Sequence, residues 1–209
     1  IFIKNKEKSE NENEEKLKLF YHYQQNSDKD NQKLSTCLDI GNNTRWVKPV
    51  LQGRITSLYG KRTSPTAGAS SYHRGIDIGV GEGTSVYPTA NGVVGAIVRK
   101  STCGGNMLYI WVTVNGKPYT TVFMHLLSIN VNVGDKVTIN QVVAKSGGGK
   151  STASKYGGYD RCTTGAHLHY GLASGGWFGS GGTYPLSSFN SHTMTPPGFP
   201  GLYQWFYSR

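Results

Sequence analysis

Short runs of alternating apolar and polar residues, separated by turn residues, dominate the middle of the chain. The runs are SVYPTANGVVGAIVRK, NMLYIWVTVNGKPYTTVFMHLLS and DKVTINQVVAKSG, and their turns contain Asn-Gly, Asn-Gly-Lys-Pro and Gly-Asp. Alternation places successive side chains on opposite faces of a strand, and turns of this kind join antiparallel neighbours in hairpins. We therefore predict a mainly β fold, built as an antiparallel β-sheet or sandwich.

The composition agrees with one loop-rich β domain and a small appendage. Of the 209 residues, 28 are glycine and 36% are hydrophobic, so the chain can bury one sizeable core. The glycines and the many short runs of valine, isoleucine and threonine favour strands and loops over helices.

Changes in composition divide the chain into three parts. Residues 1–44 are dense in Lys, Glu, Asn and Gln, and we expect a polar linker or stalk that is a short helix, a coiled-coil remnant or disordered. Residues 45–175 contain the strand runs and are expected to form the folded domain. Residues 176–209 are rich in glycine and aromatic residues, and we expect this extension to pack on the domain.

The formal net charge of +10 implies an anionic partner, such as nucleic acid, a membrane or the bacterial cell wall. Lys and Arg are scattered and no nucleic-acid-binding motif is present, so we expect no specific nucleic acid. No stretch is apolar enough for a transmembrane segment, and no signal peptide is visible. Since the chain begins with Ile1, we expect a trimmed or mature chain whose export signal, if it had one, lay upstream.

Three short motifs supply the residues that predict chemistry. In HLHYGL, His167 and His169 are two residues apart on a predicted strand, so their imidazoles share one face. HRGID offers His73 and Asp77, and FMHLLS offers His125 at the end of a strand. Zinc accepts imidazole nitrogen and carboxylate oxygen, and catalytic zinc has three protein ligands. His73, Asp77 and one histidine of the His167/His169 pair would complete that set.

These motifs stand in three blocks that resemble a known family. YHRGIDIGVGEGTSVYPTANGVV, VFMHLLSINVNVGDKVTINQVVAKSG and TTGAHLHYGL look like the blocks of the lysostaphin/LytM family of zinc peptidoglycan endopeptidases, in the same order, and GRITSLYGKR resembles the segment that precedes them. The resemblance covers about residues 47–172. It implies a β fold of the duplicated hybrid motif type, with glycine-rich loops around a groove.

Carried over to this sequence, the resemblance assigns roles to five residues. His73, Asp77 and His169 are implied to bind one zinc ion per chain, and His125 and His167 are implied to be the unliganded catalytic histidines. No other cofactor is implied. The family's reaction is hydrolysis of a peptide bond in peptidoglycan by a metal-activated water, at a stem crosslink or a crossbridge. Which of the two catalytic histidines is the general base stays open.

The resemblance also implies where the protein acts and what the alternatives are. We expect peptidoglycan as substrate, anionic wall polymers as a further partner, and a location outside the cell or in the cell wall, or on a virion if the origin is a phage. The stalk could attach the chain to a larger assembly. The alternatives are a latent wall-binding or morphogenetic scaffold and the lysin part of a phage tail.

The loop before TTGAHLHYGL is longer than expected for the family and contains Cys162. Cys103 lies in another loop near the predicted site, and the third cysteine is Cys37. We hypothesise a Cys103–Cys162 disulfide that ties two walls of the groove together in an exported protein. Three unlinked thiols are the alternative.

Overall fold

The computed structural model of the chain describes residues 43–150, 155 and 160–174. Within them the chain is mainly antiparallel β-sheet, which confirms the predicted fold class. The described strands are β1 (Arg54–Ser57), β2 (Gly60–Lys61), β3 (Tyr72–His73), β4 (Ile76–Gly79), β5 (Ser85–Val86), β6 (Gly92–Ser101), β7 (Gly105–Val114), β8 (Lys117–Ile129), β9 (Lys136–Val137), β10 (Ala144–Ser146) and β11 (Leu168–Ser174).

The main sheet of the described region has nine strands, with the order β1-β4-β11-β8-β7-β6-β9 along its length. Strand β10 pairs with both β5 and β8, whereas β2 and β3 form a separate two-stranded sheet. Strand β11 comes last among the described strands, yet it lies between β4 and β8 and pairs with both in antiparallel register. This long-range pairing brings the HLHYGL segment beside the HRGID segment.

The β7–β8 hairpin forms as the sequence predicts. Val114 pairs with Lys117, and Asn115 and Gly116 between them have φ angles of 50° and 72°. Positive φ at both central positions is what a two-residue type I′ turn requires, and Asn-Gly is its preferred sequence. The turn thereby sets the register of the two longest neighbouring strands.

Strand β7 is buried along almost its whole length, because apolar side chains cover both of its faces. On one face Leu108 and Ile110 join the main core, which also contains Phe123 and Tyr170. On the other face, the smaller cluster consists of Ala96, Met107, Tyr109 and Val122 with two partly buried neighbours. The central strands are therefore held from both sides, and the side chains at their ends are carried on a rigid support.

The predicted stalk and C-terminal extension lie outside the described residues, except for Asn43 and Thr44. The Asn43 amide donates to the carbonyls of Asn91 and Thr113, at 2.8 and 2.9 Å. Asn43 is thus held against the sheet by its side chain, although it belongs to the predicted stalk. No helix in the described part of the chain has the length and apolar character needed to cross a membrane.

Candidate metal centre

The register of three antiparallel strands brings the motif residues together. Asp77 on β4 is the direct partner of His169 on β11, so their side chains share one face of the sheet. On its other side His169 pairs with Met124 of β8, and His125 is the next residue. His73 ends β3, four residues before Asp77. Motifs separated by up to 96 residues in sequence therefore meet at one place.

Three donor atoms converge at this place. His73 Nε2, Asp77 Oδ1 and His169 Nδ1 lie 3.0 Å from one another in every pairing. His73 and His169 are almost fully buried, with 3% and 7% of their surface exposed. Among the described residues, the side chains of His73, Asp77 and His169 are close enough together to hold one metal ion.

Neighbouring groups fix the orientation of the first histidine. His73 Nδ1 lies 2.8 Å from the Leu58 carbonyl oxygen and 3.2 Å from Ser57 Oγ. A carbonyl only accepts hydrogen bonds, so Nδ1 carries the proton and Nε2 of the neutral ring has a lone pair. A histidine that binds a metal commonly donates its other ring N–H to a backbone carbonyl in this way.

This donor set fits a zinc ion. His73 Nε2 offers a lone pair, and it faces the carboxylate oxygen of Asp77 and the ring nitrogen of His169, so a cation would relieve the repulsion among them. Two imidazole nitrogens and one carboxylate oxygen are ligands that zinc accepts. Their separations of 3.0 Å are close to the edge of about 3.3 Å in a tetrahedron with bonds of about 2.0 Å. The other ring nitrogen of His169, Nε2, is buried and has no hydrogen-bond partner among the described residues.

The protonation states also suit a cation. Burial by itself would raise the pKa of Asp77, but the adjacent imidazole groups of His169 and His73 outweigh this effect and hold the pKa far below its usual range. Burial lowers the pKa of His169 to about 4, despite the opposing effect of Asp77. At neutral pH, Asp77 is therefore charged and His169 neutral, as ligands must be.

His125 stands beside the cluster in an unusual backbone conformation. Its φ is 59°, which is rare for a residue other than glycine, and its backbone N–H donates to the Gly104 carbonyl at 2.8 Å. Its Nδ1 lies 3.0 Å from both carboxylate oxygens of Asp160. Non-glycine residues held at positive φ often occur at functional sites, where the surrounding structure maintains the strain.

His167 lies between His125 and the three convergent atoms. The centroids of the His125 and His167 rings are 4.5 Å apart, and His167 Nε2 is 3.7 Å from Asp77 Oδ1. His167 Nδ1 donates to the Gly165 carbonyl at 2.8 Å, which leaves Nε2 as the nitrogen that faces the cluster. Burial lowers the pKa of His167, and the nearby His125 adds to this effect. The ring is therefore neutral at pH 7 and able to accept a proton.

A cavity of about 440 Å³ lies over the cluster and is lined by all the motif residues except His73. Thr63 and Pro65, from the connection between β2 and β3, and Thr164 and Gly165, from the connection before β11, form parts of its wall. Its volume is in the range of small ligand sites, about 300–1,000 Å³. The described parts of these loops thus lie where a substrate groove was expected.

The hypothesised disulfide is confirmed. Cys103, in the connection between β6 and β7, is bonded to Cys162, which lines the cavity. The predicted alternative of three unlinked thiols is therefore wrong. Cys37 lies outside the described residues.

The five predicted site residues all meet at this centre, but two further residues were missed. Asp160 contacts His125, and Arg62 donates to Asp77 Oδ2 at 3.0 Å. Arg62 lies in the quoted segment GRITSLYGKR, and Asp160 is two residues from Cys162 in the long loop. Neither has a spacing that singles it out, because both contacts depend on long-range folding.

A mainly antiparallel sheet that brings two histidines and an aspartate to one point, with two more histidines beside them, is the architecture of a metallopeptidase. The sequence model described as Peptidase family M23 matches residues 71–178, just over half of the chain. The chain belongs to peptidase family M23. The resemblance to the lysostaphin/LytM family is thereby confirmed, and the expected enzyme class agrees with it.

Named relatives agree with this family. The chain is 32% identical over 120 residues to an uncharacterized metalloprotease of Haemophilus influenzae, a match that covers 57% of this chain and 22% of the relative. It is 33% identical over 120 residues to the peptidoglycan DD-endopeptidase ShyA of Vibrio cholerae, and this match covers 57% of this chain and 24% of the relative. The chain thus spans about a quarter of the length of these curated relatives.

A solved structure with a similar chain is the catalytic domain of lysostaphin from Staphylococcus simulans. It is 26% identical, the match covers 60% of this chain and 84% of that one, and the TM-score is 0.46.

Proposed function

We propose that this chain is a zinc-dependent endopeptidase that hydrolyses peptide bonds in bacterial peptidoglycan, at a stem crosslink or a crossbridge. The observation that carries the proposal is the convergence of His73 Nε2, Asp77 Oδ1 and His169 Nδ1 within 3.0 Å of one another. His125 and His167, which lie beside that point, would supply the proton transfers that hydrolysis needs.

His73, Asp77 and His169 would hold one zinc ion through these atoms, leaving a position for water or substrate. Bound zinc supplies Lewis acidity, which polarises a peptide carbonyl and makes water more acidic. Arg62 holds Asp77 Oδ2, so that Oδ1 is directed toward the two histidines. The Leu58 carbonyl holds His73 with Nε2 unprotonated.

His125 and His167 would carry the protons. The Nδ1 atom of each ring faces an acceptor, Asp160 for His125 and the Gly165 carbonyl for His167. Nε2 is then the atom that takes a proton from the attacking water, donates to the oxyanion or passes a proton to the leaving amine. Because burial lowers the pKa of His167, this ring is available as a base at neutral pH. The division of these tasks between the two rings stays open.

Three observations support the substrate class and the place of action. The V. cholerae relative is named a peptidoglycan DD-endopeptidase, and the net charge of +10 favours binding to anionic wall polymers. The cavity is open and lined by small residues such as Gly165 and Ala166, which suits a thin peptide. We place the activity at the cell wall and assign it to residues 45–175.

The test combines metal analysis with wall digestion. Zinc content of the purified chain is measured by mass spectrometry, and new amino groups are counted after digestion of peptidoglycans with different crosslinks. His169→Ala should lose both zinc and activity, and His125→Ala should keep zinc and lose activity. Asp135→Asn is the matched control, since Asp135 lies in the turn before β9 at the opposite edge of the sheet.

About one zinc per chain together with cleavage of one wall type supports the proposal, and the new termini identify the bond. If zinc is bound but no peptidoglycan is cut, the proposed activity is wrong and a latent wall-binding scaffold is favoured. If His125→Ala is as active as the wild type, its assigned role is wrong.

A further inference from the structure

Asp160 is a buried carboxylate that is not one of the three proposed zinc ligands. Its side chain is 1% exposed, and both of its oxygens lie 3.0 Å from His125 Nδ1. A buried carboxylate is costly unless it is hydrogen-bonded or paired. Among the described residues, His125 is thus the side chain that contacts Asp160, and it lies at the same distance from both carboxylate oxygens.

The surrounding backbone is built to keep Asp160 in this place. A Cβ atom at Gly105 would come within 2.8 Å of Asp160 Oδ2, and Gly105 has a φ of 60°. The backbone N–H of Arg161 donates to the Thr102 carbonyl at 2.7 Å. The disulfide then bonds Cys162 to Cys103. The segment that carries Asp160 is therefore fixed to the β6–β7 connection at two consecutive residues.

The same connection holds the other side of the pair. Gly104 accepts the backbone N–H of His125, whose φ of 59° turns this residue out of ordinary strand geometry. Residues 102–105 thus contact both the backbone of His125 and the segment of Asp160. Residues 102–105 therefore set the position of the Asp160 carboxylate relative to the His125 imidazole.

We propose that Asp160 is a positioning residue that accepts a hydrogen bond from Nδ1–H of His125, and thereby keeps Nε2 of the neutral ring as the unprotonated nitrogen directed into the cavity. A carboxylate that faces Nδ1 with two acceptor oxygens favours the tautomer with the proton on Nδ1. The proposal rests on the proposed function, because Nε2 is the atom that would exchange protons with the substrate there. Asp160 itself does not line the cavity, so it acts through His125.

The decisive measurement is the tautomer of His125, which needs no substrate. Zinc-loaded protein with 15N-labelled histidine rings is studied by NMR at neutral pH, and the His125 signals are assigned with a His125→Gln variant. We expect the proton on Nδ1 in the wild type. In Asp160→Asn, whose amide N–H can face Nδ1, we expect the proton to shift partly or fully to Nε2. A wild-type ring with the proton on Nε2 would overturn the proposal, even if the variant does not fold.

Kinetics give the second readout. In Asp160→Asn, kcat should fall about 10- to 100-fold, a part of the contribution of a positioned acid–base group. KM should stay within about twofold and zinc content should not change, because Asp160 contacts neither the proposed ligands nor the cavity. Asp135→Asn removes a carboxylate at the far edge of the sheet and should leave kcat unchanged.

The outcomes separate the two proposals. A wild type that cuts no peptidoglycan but has the Nδ1 tautomer contradicts the proposed function and supports the positioning by Asp160. An active Asp160→Asn variant with wild-type kcat and an unchanged tautomer overturns the positioning role and leaves the proposed function in place. A loss of zinc in Asp160→Asn would also overturn the positioning role, because the change in kcat would then arise from the metal site and not from His125.

Discussion

Arg62 Nη1 donates a hydrogen bond to Asp77 Oδ2 at 3.0 Å, on the side of the carboxylate that faces away from the histidine cluster. The two oxygens of Asp77 therefore have different partners, since Oδ1 faces His73 and His169. Arg62 Nη1 also donates to Ser57 Oγ at 2.8 Å, and Ser57 Oγ is 3.2 Å from His73 Nδ1. One guanidinium group thus helps to orient two of the three proposed ligands.

Replacing Arg62 by lysine should weaken zinc binding about 10- to 100-fold, as loss of outer-shell partners commonly does. Lysine keeps the positive charge but lacks the planar group whose nitrogen reaches Asp77 and Ser57 together. The measurement is a competition titration with a zinc chelator. Arg99→Lys, at an exposed position on β6, is the control and should bind zinc like the wild type. Equal affinity of all three proteins would show that Arg62 does not support the site.

Much of the site could be predicted from the sequence because its residues are in short motifs with strand periodicity. His167 and His169 share a face by local geometry alone, and the family resemblance indicated which other residues join them. Asp160 and Arg62 could not be found this way. The Arg62–Asp77 contact joins residues 15 apart in sequence, and the Asp160–His125 contact joins residues 35 apart, and no local pattern encodes either contact.

The fold shows the same division between local and long-range information. The hairpin at Asn115 and Gly116 follows from turn chemistry, and both residues have the positive φ that the turn requires. The insertion of β11 into the middle of the sheet has no local signal. Nor does the positive φ of His125, because residues other than glycine seldom adopt it. The sequence predicts His125 at the end of a strand, whereas the structure places it inside β8 (Lys117–Ile129).

The Cys103–Cys162 disulfide should stabilise the domain and support its activity. It links residues 59 apart in sequence, for which the chain-entropy relation gives about 4 kcal/mol, and measured effects are commonly about 2–4 kcal/mol. A Cys103→Ser/Cys162→Ser variant should lower the free energy of unfolding by about that amount. It should also lower kcat, because the segment with Asp160 loses one of its two attachments. Denaturant unfolding and peptidoglycan digestion measure the two effects.

Reductant is the control for this prediction. It should shift the wild type toward the double variant in both stability and kcat and leave the double variant unchanged. Wild-type activity that persists after complete reduction, with the thiols counted in the same sample, would show that the disulfide has no part in organising the site.

Tyr109 should make the folded domain less stable at alkaline pH. Burial raises its pKa to about 12, from 10.0, so between these values the unfolded chain loses a proton that the folded chain keeps. The free energy of unfolding therefore falls as pH rises, by about 1.4 kcal/mol between pH 8 and pH 11 for this residue alone. Tyr109→Phe should remove that part of the fall. Unfolding at both pH values measures it, and equal falls in the two proteins would contradict the prediction.

Gly75 should be required for the position of His169. A Cβ atom at residue 75 would collide with the imidazole of His169 and with the Tyr170 carbonyl oxygen, and β11 is held in the middle of the sheet and cannot readily move away. We expect Gly75→Ala to displace the ring, to weaken zinc binding at least about tenfold, and to cost about 1–3 kcal/mol of stability. Gly81→Ala is the matched control, because a Cβ there meets no atom within 4 Å. Chelator competition and thermal unfolding are measured for both variants. If Gly75→Ala retains wild-type zinc affinity, the ring has room to adjust, and the close packing of His169 is not what fixes the proposed metal site.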